Sequence, residues 1–167
     1  MKLVVLVVED EPPVREAVLA DLAETARVVR LEAAEDVEDA WEVVGEVDED
    51  GDVLALVLAD HRLPGRTGVD MLVEMMDDAR TAAARKVLVT RQADQEDTIR
   101  AVNEAGLDHY VAKPWDGADL RAVVRETTLL READRGQQSM MDRVTAKIKN
   151  TRDDIERVCG MRPLSRD

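Results

Sequence analysis

Acidic side chains stand at two points of the chain where a run of apolar residues stops. Glu9 and Asp10 follow the run 3–8, and Asp60 follows the run 53–59. If these runs are parallel strands, their carboxyl ends lie at the edge of the sheet where ligands bind. Three carboxylates drawn together there repel one another by roughly 1 to 4 kcal/mol per pair unless a cation lies among them. A divalent cation would remove that repulsion.

Mg²⁺ is the cation that these oxygen ligands favour, because it binds through one or two carboxylates, keeps several waters and then binds phosphate oxygens. The chemistry indicated is phosphoryl transfer, in which an aspartate such as Asp60 can be the nucleophile. Transfer requires in-line positioning and neutralisation of the phosphoryl oxygens. Lys113, after the fifth apolar run, can supply positive charge, and Thr90, at the end of the fourth, can donate a hydrogen bond to one oxygen.

Each of these residues also has a simpler interpretation. The acids ahead of Pro12 can be helix caps or first-turn partners of the helix dipole. Asp60 can be a turn former, since a Pro-Gly pair follows it closely. Thr90 can be a strand-end hydroxyl, and Lys113 an exposed loop lysine. Their order along the chain, and not any one of them, favours a common site.

The elements that would position these residues are five short strands alternating with helices. The strands are predicted at 3–8, 27–31, 53–59, 86–90 and 110–112. Their nearly continuous apolar sequences are typical of parallel strands covered on both faces, so the predicted fold class is α/β. Helices are predicted after Pro12 and Pro13, after Asp36, after Gly68, across 99–105 with Gly106 as the stop, and from Asp116 onward. The segment 48–52 is predicted to be an exposed loop.

The composition limits the classes of function. The chain has 167 residues, enough for one domain and a short extension. Its 37 acidic and 23 basic side chains give a formal net charge of -14, which opposes binding to nucleic acid or to an anionic membrane. The single cysteine, Cys159, excludes an internal disulfide and a cysteine-cluster metal site. No apolar run approaches the roughly 18 residues that span a bilayer, and we expect a cytoplasmic protein.

Four stretches of the sequence resemble the successive motifs of the response-regulator receiver domain of two-component signalling, as in CheY-like proteins. They are LVVEDEPPVRE, LVLADHRLPGRTGVDML, KVLVTR and DHYVAKPW, and they fall within residues 1–130. The resemblance implies a doubly wound, flavodoxin-like sheet of five parallel strands in the order 2-1-3-4-5. It also implies that Asp60 accepts a phosphoryl group from a histidine kinase or a phosphotransfer protein.

The resemblance assigns a role to each residue of the acidic cluster. Asp10, Asp60 and the backbone carbonyl of Arg62 would ligate Mg²⁺, and Glu9 would act through a bound water. Lys113 would contact the phosphoryl oxygens. These roles come from the family and not from the spacing of the residues.

The resemblance also implies a switch. Thr90 and Tyr110 would form the switch pair, with the hydroxyl moving toward the phosphoryl group while the ring turns from an exposed to an inward rotamer. The bond between Lys113 and Pro114 is expected to be cis, which proline permits at modest cost.

Some positions depart from the family pattern. Arg91 stands where receivers usually carry a small residue, which predicts slower access for small phosphodonors. Arg62 and Gln92 occupy positions at which the family tunes the attacking water, so the resemblance leaves the lifetime of the phosphoryl group open. His61 is interpreted as a neutral side chain at the loop edge, and Trp115, in place of the usual Phe, as core packing.

Residues 131–167 form a separate extension in this interpretation, continuing the last helix. Spacings of three and four give an unbroken heptad register, with its strongest part from Met141 to Val158. The register consists of Leu120, Val123, Thr127, Leu130, Asp134, Gln137, Met141, Val144, Ile148, Thr151, Ile155 and Val158. It predicts a homodimer through a parallel coiled coil, in which Cys159 would lie close to its mate. The alternatives are a helix folded back on the receiver, a disordered tail, or the stem of a longer protein.

The flanking charges of that coiled coil give mixed evidence. Glu126 would attract Arg131 across a parallel dimer, whereas Lys147 would repel Arg152. Gly136 beside the seam costs about 1 kcal/mol of helix stability relative to alanine, which predicts a kink there.

The leading hypothesis is therefore a response-regulator receiver that is phosphorylated on Asp60 with Mg²⁺ and changes conformation. It would not be a turnover enzyme, although slow autodephosphorylation is compatible with it. The alternative is a phosphorylation-independent interaction scaffold, which Arg62 and Arg91 favour. A second alternative, a Mg²⁺-dependent phosphohydrolase, lacks a positioned general acid or base outside the cluster.

Overall fold

The chain folds around one parallel sheet, seen in a computed structural model that describes residues 1–91 and 95–159. The strands are β1 (Leu3–Val8), β2 (Arg30–Ala34), β3 (Val53–Ala59), β4 (Arg85–Thr90) and β5 (His109–Ala112). Their order across the sheet is β2-β1-β3-β4-β5, and every neighbouring pair is parallel. The predicted α/β fold with strand order 2-1-3-4-5 is confirmed.

Five α-helices accompany the sheet within the described residues. They are α1 (Pro12–Asp21), α2 (Val37–Glu49), α3 (Gly68–Glu74), α4 (Gln95–Ala105) and α5 (Gly117–Cys159). The carboxylate of Asp36 caps α2 by accepting a hydrogen bond from the backbone N–H of Asp39 at 2.8 Å. Gly106 follows α4 with a φ of +62°, the left-handed conformation that glycine adopts readily after a helix. The predicted starts of α1, α2, α3 and α5 and the predicted stop at Gly106 are confirmed, whereas α4 begins at Gln95, four residues earlier than predicted.

Apolar side chains on both faces of the sheet form the core. Along β1, Val4, Leu6 and Val8 pack with residues of α2, α3 and α4, while Val5 and Val7 pack on the opposite face with residues of α1 and α5. All five side chains are at most 2% exposed. This two-sided burial explains why the strand sequences are continuously apolar instead of alternating.

The second strand lies three residues later than predicted. Thr25–Arg27 form a short 3-10 helix, and Val28 is 81% exposed. The strand is Arg30–Ala34, paired residue by residue with positions 4–8 of β1. Because β2 lies at the edge of the sheet and is only partly buried, its sequence carries a weak apolar signal. Pairing with β1 determines its position, which the apolar pattern alone did not give.

The segment 48–52 is more structured than the predicted exposed loop. The helix α2 continues to Glu49, and Gly51 turns the chain with a φ of +69°. The guanidinium of Arg30 donates hydrogen bonds to Asp50 at 2.6 Å and to Asp52 at 3.1 Å. Asp52 also accepts a hydrogen bond from the backbone N–H of Lys2 at 2.7 Å. These acids therefore tie β2 and the start of β1 to the turn before β3.

The chain divides into two compact units, Met1–Arg131 and Glu132–Asp167, and α5 contributes to both. In the first unit, Leu120 and Thr127 are fully buried in the core. The predicted dimer seam is wrong at these two positions, because both side chains already pack in their own domain, whereas Leu130 of the same register is 44% exposed. Within the described residues, no helix is both long and apolar enough to cross a membrane.

Candidate functional site

The ends of two neighbouring strands bring three carboxylates together. Val8 and Ala59, the last residues of β1 and β3, are paired in the sheet, so the residues that follow them meet at one edge. Glu9, Asp10 and Asp60 each place a carboxylate oxygen within 4.8 Å of the others. Glu9 and Asp60 are buried, and Asp10 is half-buried. The cluster expected from the sequence is thus present, and its hard oxygen donors can hold a divalent cation.

Lys113 neutralises part of this cluster. Its ammonium donates hydrogen bonds to Glu9 Oε2 at 2.5 Å and to Asp60 Oδ2 at 3.1 Å, and its side chain is only 5% exposed. The loop after β5 positions the lysine, since its backbone N–H donates to the carbonyl of Thr90 at 3.1 Å. The bond between Lys113 and Pro114 is cis, as predicted. The site therefore combines three acids with one buried cation.

The pKa values of the buried pair reflect this arrangement. Burial raises the pKa of Glu9 above its usual value, and the hydrogen bond from Lys113 only partly opposes this effect. Burial acts to lower the pKa of Lys113, but its hydrogen bonds to Glu9 and Asp60 outweigh burial and raise the pKa. Lys113 is therefore a firmly charged ammonium, and the negative charge of Glu9 is costly without it.

An open cavity of about 360 Å³ gives access to the side chain of Asp60. It is lined by Asp10, Glu11, Asp60, Arg62, Thr90, Arg91 and Lys113. Thr90 is buried at the end of β4, whereas Tyr110 in β5 is 41% exposed. Of the exposed and inward rotamers that the resemblance implies for Tyr110, the structure shows the exposed one. Gln92, named with Arg62 in the sequence analysis, lies outside the described residues.

The acids after β1 do not form a simple helix cap. Glu11 is the N-cap of α1, and its side chain makes no capping hydrogen bond. Glu9 accepts a hydrogen bond from the backbone N–H of Glu11 at 3.1 Å, which orients its carboxylate beside Asp60. Arg15, which the sequence analysis did not single out, donates from its guanidinium to the carbonyl of Glu9 at 2.8 Å. The start of α1 thereby holds the end of β1 in place.

Gly68 allows the loop after Asp60 to close. Its backbone N–H donates to the carbonyl of His61 at 2.7 Å, and a Cβ at this position would lie 1.8 Å from the carbonyl oxygen of Asp60. Only glycine permits this approach of two backbones. From the sequence, Gly68 was predicted only as a helix start; its position shortly after Asp60 was the signal for this second role.

Two further side chains make contacts that the sequence does not predict. His61, predicted as a neutral side chain at the loop edge, is buried, and its Nε2 lies 3.0 Å from Asp97 Oδ2 of α4. Trp115 packs against the core as predicted, and its indole N–H also donates to Asp21 Oδ2 at 2.7 Å. Both contacts join residues that are far apart in the sequence.

The fold and the acidic edge of the sheet are those of a receiver domain. The sequence profile of the response regulator receiver domain matches residues 5–125, and the chain belongs to this family. The hydrogenase transcriptional regulatory protein HoxA of Cupriavidus necator is 31% identical over 147 residues, covering 88% of this chain and 28% of HoxA. The response regulator Rre1 of Synechocystis sp. is 28% identical over 159 residues, covering 93% of this chain and 66% of Rre1. The chain thus spans less than two thirds of the length of either relative.

Solved structures agree with this fold. The CheY-like response regulator receiver domain protein of Methanospirillum hungatei has a TM-score of 0.68 at 22% identity, covering 80% of this chain and 99% of that protein. At this identity the similarity shows the fold alone.

Proposed function

We propose that this receiver domain is a phosphoacceptor in which Asp60 takes a phosphoryl group from the phosphohistidine of a histidine kinase or phosphotransfer protein. The observation that carries the proposal is the convergence of Glu9, Asp10 and Asp60 within 4.8 Å beside the ammonium of Lys113. The protein would act as a substrate that changes state, and not as a turnover enzyme. Slow loss of the phosphoryl group as phosphate is compatible with this function.

In the proposed transfer, a carboxylate oxygen of Asp60 attacks the phosphorus in line with the bond to the histidine nitrogen. The phosphorus–nitrogen bond breaks, its electron pair leaves with the imidazole, and an oxygen–phosphorus bond forms. Lys113 can exchange its hydrogen bond with Asp60 for one to a phosphoryl oxygen while keeping its bond to Glu9. The Thr90 hydroxyl, which lines the same cavity, can donate to a second oxygen.

The donor set fits Mg²⁺, because carboxylates and a backbone carbonyl are the hard ligands that this ion prefers. Asp10, Asp60 and the carbonyl of Arg62 would hold it, and Glu9 would act through a water. When bound, Mg²⁺ supplies the positive charge that offsets the phosphoryl oxygens.

Output would follow from the added charge of about -1.5 to -2 that a phosphoryl group carries. Thr90 would move toward the phosphoryl oxygens, and Tyr110 would turn inward from its exposed position into the space that Thr90 leaves. The face formed by α4, β5 and α5 would repack as a result.

Intact mass spectrometry tests the proposal. Incubation with Mg²⁺ and acetyl phosphate, or with a phosphorylated histidine phosphotransfer domain, should add the mass of one phosphoryl group. The adduct should be absent from Asp60→Asn and present in Asp48→Asn, a control at an exposed aspartate outside the site. Absence of an adduct from the wild-type chain with either donor would support a phosphorylation-independent scaffold instead. Release of phosphate from unrelated phosphoesters would support the hydrolase.

The scaffold has one observation in its favour. Arg62 and Arg91 both line the cavity around Asp60, so two basic residues border the space that an incoming donor would enter. If they block small donors only, Arg91→Ala should speed phosphorylation by acetyl phosphate more than phosphorylation by the protein donor. If they abolish phosphorylation, neither donor reacts with the wild-type chain.

We also propose that the chain forms a homodimer through the part of α5 beyond Arg131. Met141, Val144 and Ile148 occupy successive seam positions there, and each is exposed in the monomer. Sedimentation of the full chain and of two variants tests the dimer. Ile148→Glu places a charge in the seam, whereas the control Ala146→Glu places a charge on the outer face of the helix. The proposal requires that only Ile148→Glu lowers the sedimentation coefficient to that of a monomer.

A further inference from the structure

The helix α4 has a small apolar contact with the core. Its buried side chains are Ala101 and Ala105, while Ile99 and Val102 are each 51% exposed. By comparison, α2 buries four valines and one alanine. Because apolar stabilisation scales with the area buried, two methyl groups hold α4 to the sheet much less firmly than the larger side chains hold α2. Polar contacts therefore account for a larger share of what keeps α4 in place.

Two such contacts lie on one face of α4. His61 Nε2 is 3.0 Å from Asp97 Oδ2, and Arg100 donates to Asp70 Oδ1 of α3 at 2.5 Å. Asp97 and Arg100 are three residues apart, so they project from the same side of the helix. The side chains of Asp70 and Arg100 are each about 40% exposed, and an ion pair so exposed contributes little. The side chain of His61 is only 8% exposed, so its contact is the better shielded of the two.

The chemistry of the His61 contact is determined by its partner. A carboxylate only accepts hydrogen bonds, so Nε2 must carry the proton and donate to Asp97. The other ring nitrogen, Nδ1, is buried and makes no hydrogen bond within the described part of the chain. A buried ring with one polar contact loses that contact entirely if α4 moves away, and the donor is then left unsatisfied.

We propose that His61 is a positioning residue that couples α4 to the phosphoacceptor loop through its hydrogen bond to Asp97. His61 follows Asp60 directly, and its carbonyl accepts the hydrogen bond from Gly68 that closes the loop. A displacement of α4 therefore pulls on His61, the residue covalently bonded to Asp60, and a movement of Asp60 is transmitted through His61 to α4. The link to phosphorylation rests on the proposed function, whereas the tether itself does not.

Hydrogen exchange of the full, unphosphorylated chain tests the tether. His61→Asn has a side chain too short to reach Asp97, whereas His61→Gln places an amide N–H near the position of Nε2. We expect the amides of α4 to exchange roughly tenfold faster in His61→Asn, since a hydrogen bond to a charged group is lost. His61→Gln should restore most of the protection. His109→Gln, at the second histidine, serves as the matched control and should leave α4 unchanged.

A double-mutant cycle identifies the partner. Asp97→Ala should also speed exchange in α4, and the combination with His61→Asn should add little to either single change, because both remove the same bond. Equal loss of protection in His61→Gln and His61→Asn would overturn the proposal, since packing of the ring would then explain the effect. Additive effects of the two single changes would overturn it as well. Neither result depends on whether Asp60 is phosphorylated, so failure of the proposed function is measured separately by the mass of the adduct.

Coupling to the acceptor is then measured with Mg²⁺ and beryllofluoride as a phosphoryl mimic. In the wild-type chain this probe should change the exchange rates in α4, and in His61→Asn the change should shrink at least severalfold. An undiminished response in His61→Asn would show that the signal reaches α4 by another route and would overturn the coupling.

Discussion

Gly68 lets the loop after Asp60 pass against the backbone of this proposed acceptor, and Gly68→Ala would remove that freedom. An added Cβ would lie 1.8 Å from the carbonyl oxygen of Asp60 and 2.8 Å from its carbonyl carbon. Both contacts are with backbone, so no flexible side chain can yield. Opening the shorter contact from 1.8 to 3.0 Å requires a movement of about 1.2 Å. The hydrogen bond from Gly68 to His61 would be strained by the same movement.

We expect Gly68→Ala to lower the free energy of unfolding by about 1 to 3 kcal/mol, the usual cost of forcing extra volume into a packed region. Displacing a reacting group by about 1 Å can slow a reaction about 100-fold. Phosphorylation of Asp60 by acetyl phosphate should therefore slow by roughly that factor. Urea denaturation measures the first quantity, and intact mass against time measures the second.

Gly45→Ala is the matched control for this prediction. Gly45 lies within α2, and a Cβ there would meet nothing within 4 Å. The same substitution should therefore raise helix stability by about 0.5 to 1 kcal/mol and leave phosphorylation unchanged. If Gly68→Ala were as stable and as quickly phosphorylated as Gly45→Ala, the close approach of the two backbones would not be a requirement of the site.

Three other predictions concern polar groups within the fold. Burial lowers the pKa of Lys86 to about 8, below the usual 10.5. Between pH 8 and pH 10.5 the unfolded chain therefore binds more protons than the folded chain. The free energy of unfolding should rise with pH across this range. That rise, at most about 3 kcal/mol, should be absent from Lys86→Met in urea titrations across pH 8 to 10.5. Lys113→Met leaves Glu9 and Asp60 without their cation, so the free energy of unfolding in urea should fall by about 3 to 5 kcal/mol without Mg²⁺. Mg²⁺ should restore part of this loss. An equal loss with and without Mg²⁺ would contradict the idea that the lysine and the ion neutralise the same carboxylates. Asp36→Ala removes the cap of α2 and should cost about 1 kcal/mol in thermal unfolding, and no loss would mean that the cap contributes nothing.

The elements that could be predicted from the sequence are those buried on both sides. The apolar runs of β1 and β3 end at charged residues, and both strands have their predicted bounds. The edge strand β2 could not be located in this way, since it is only partly buried, carries Arg30 and Glu32, and is positioned by pairing with β1. Burial of Lys86, which donates to three backbone carbonyls, was likewise not visible in a strand pattern.

The charged residues of the candidate site could be predicted from the sequence, but the contacts that support them could not. Acids, a hydroxyl and a lysine after successive strands are visible in the sequence because a parallel sheet brings strand ends together. The contact of His61 with Asp97 joins positions 36 residues apart, and no spacing rule relates them. The heptad register failed at Leu120 for a similar reason, because the same apolar spacing serves a dimer seam and a helix face packed on its own sheet.

The ammonium of Lys113 meets carboxylates that precede it by 104 and 53 residues, so four of the five strands must be correctly paired before the acceptor has its surroundings. Contacts so distant along the chain are slow to form, since closing the long loops between them costs chain entropy. A truncated or half-folded chain would carry Asp60 as an ordinary solvated carboxylate with no cation at its side. Under the proposed function, competence to accept a phosphoryl group is therefore a property of the finished domain, and an incompletely folded chain is not a substrate for the phosphodonor.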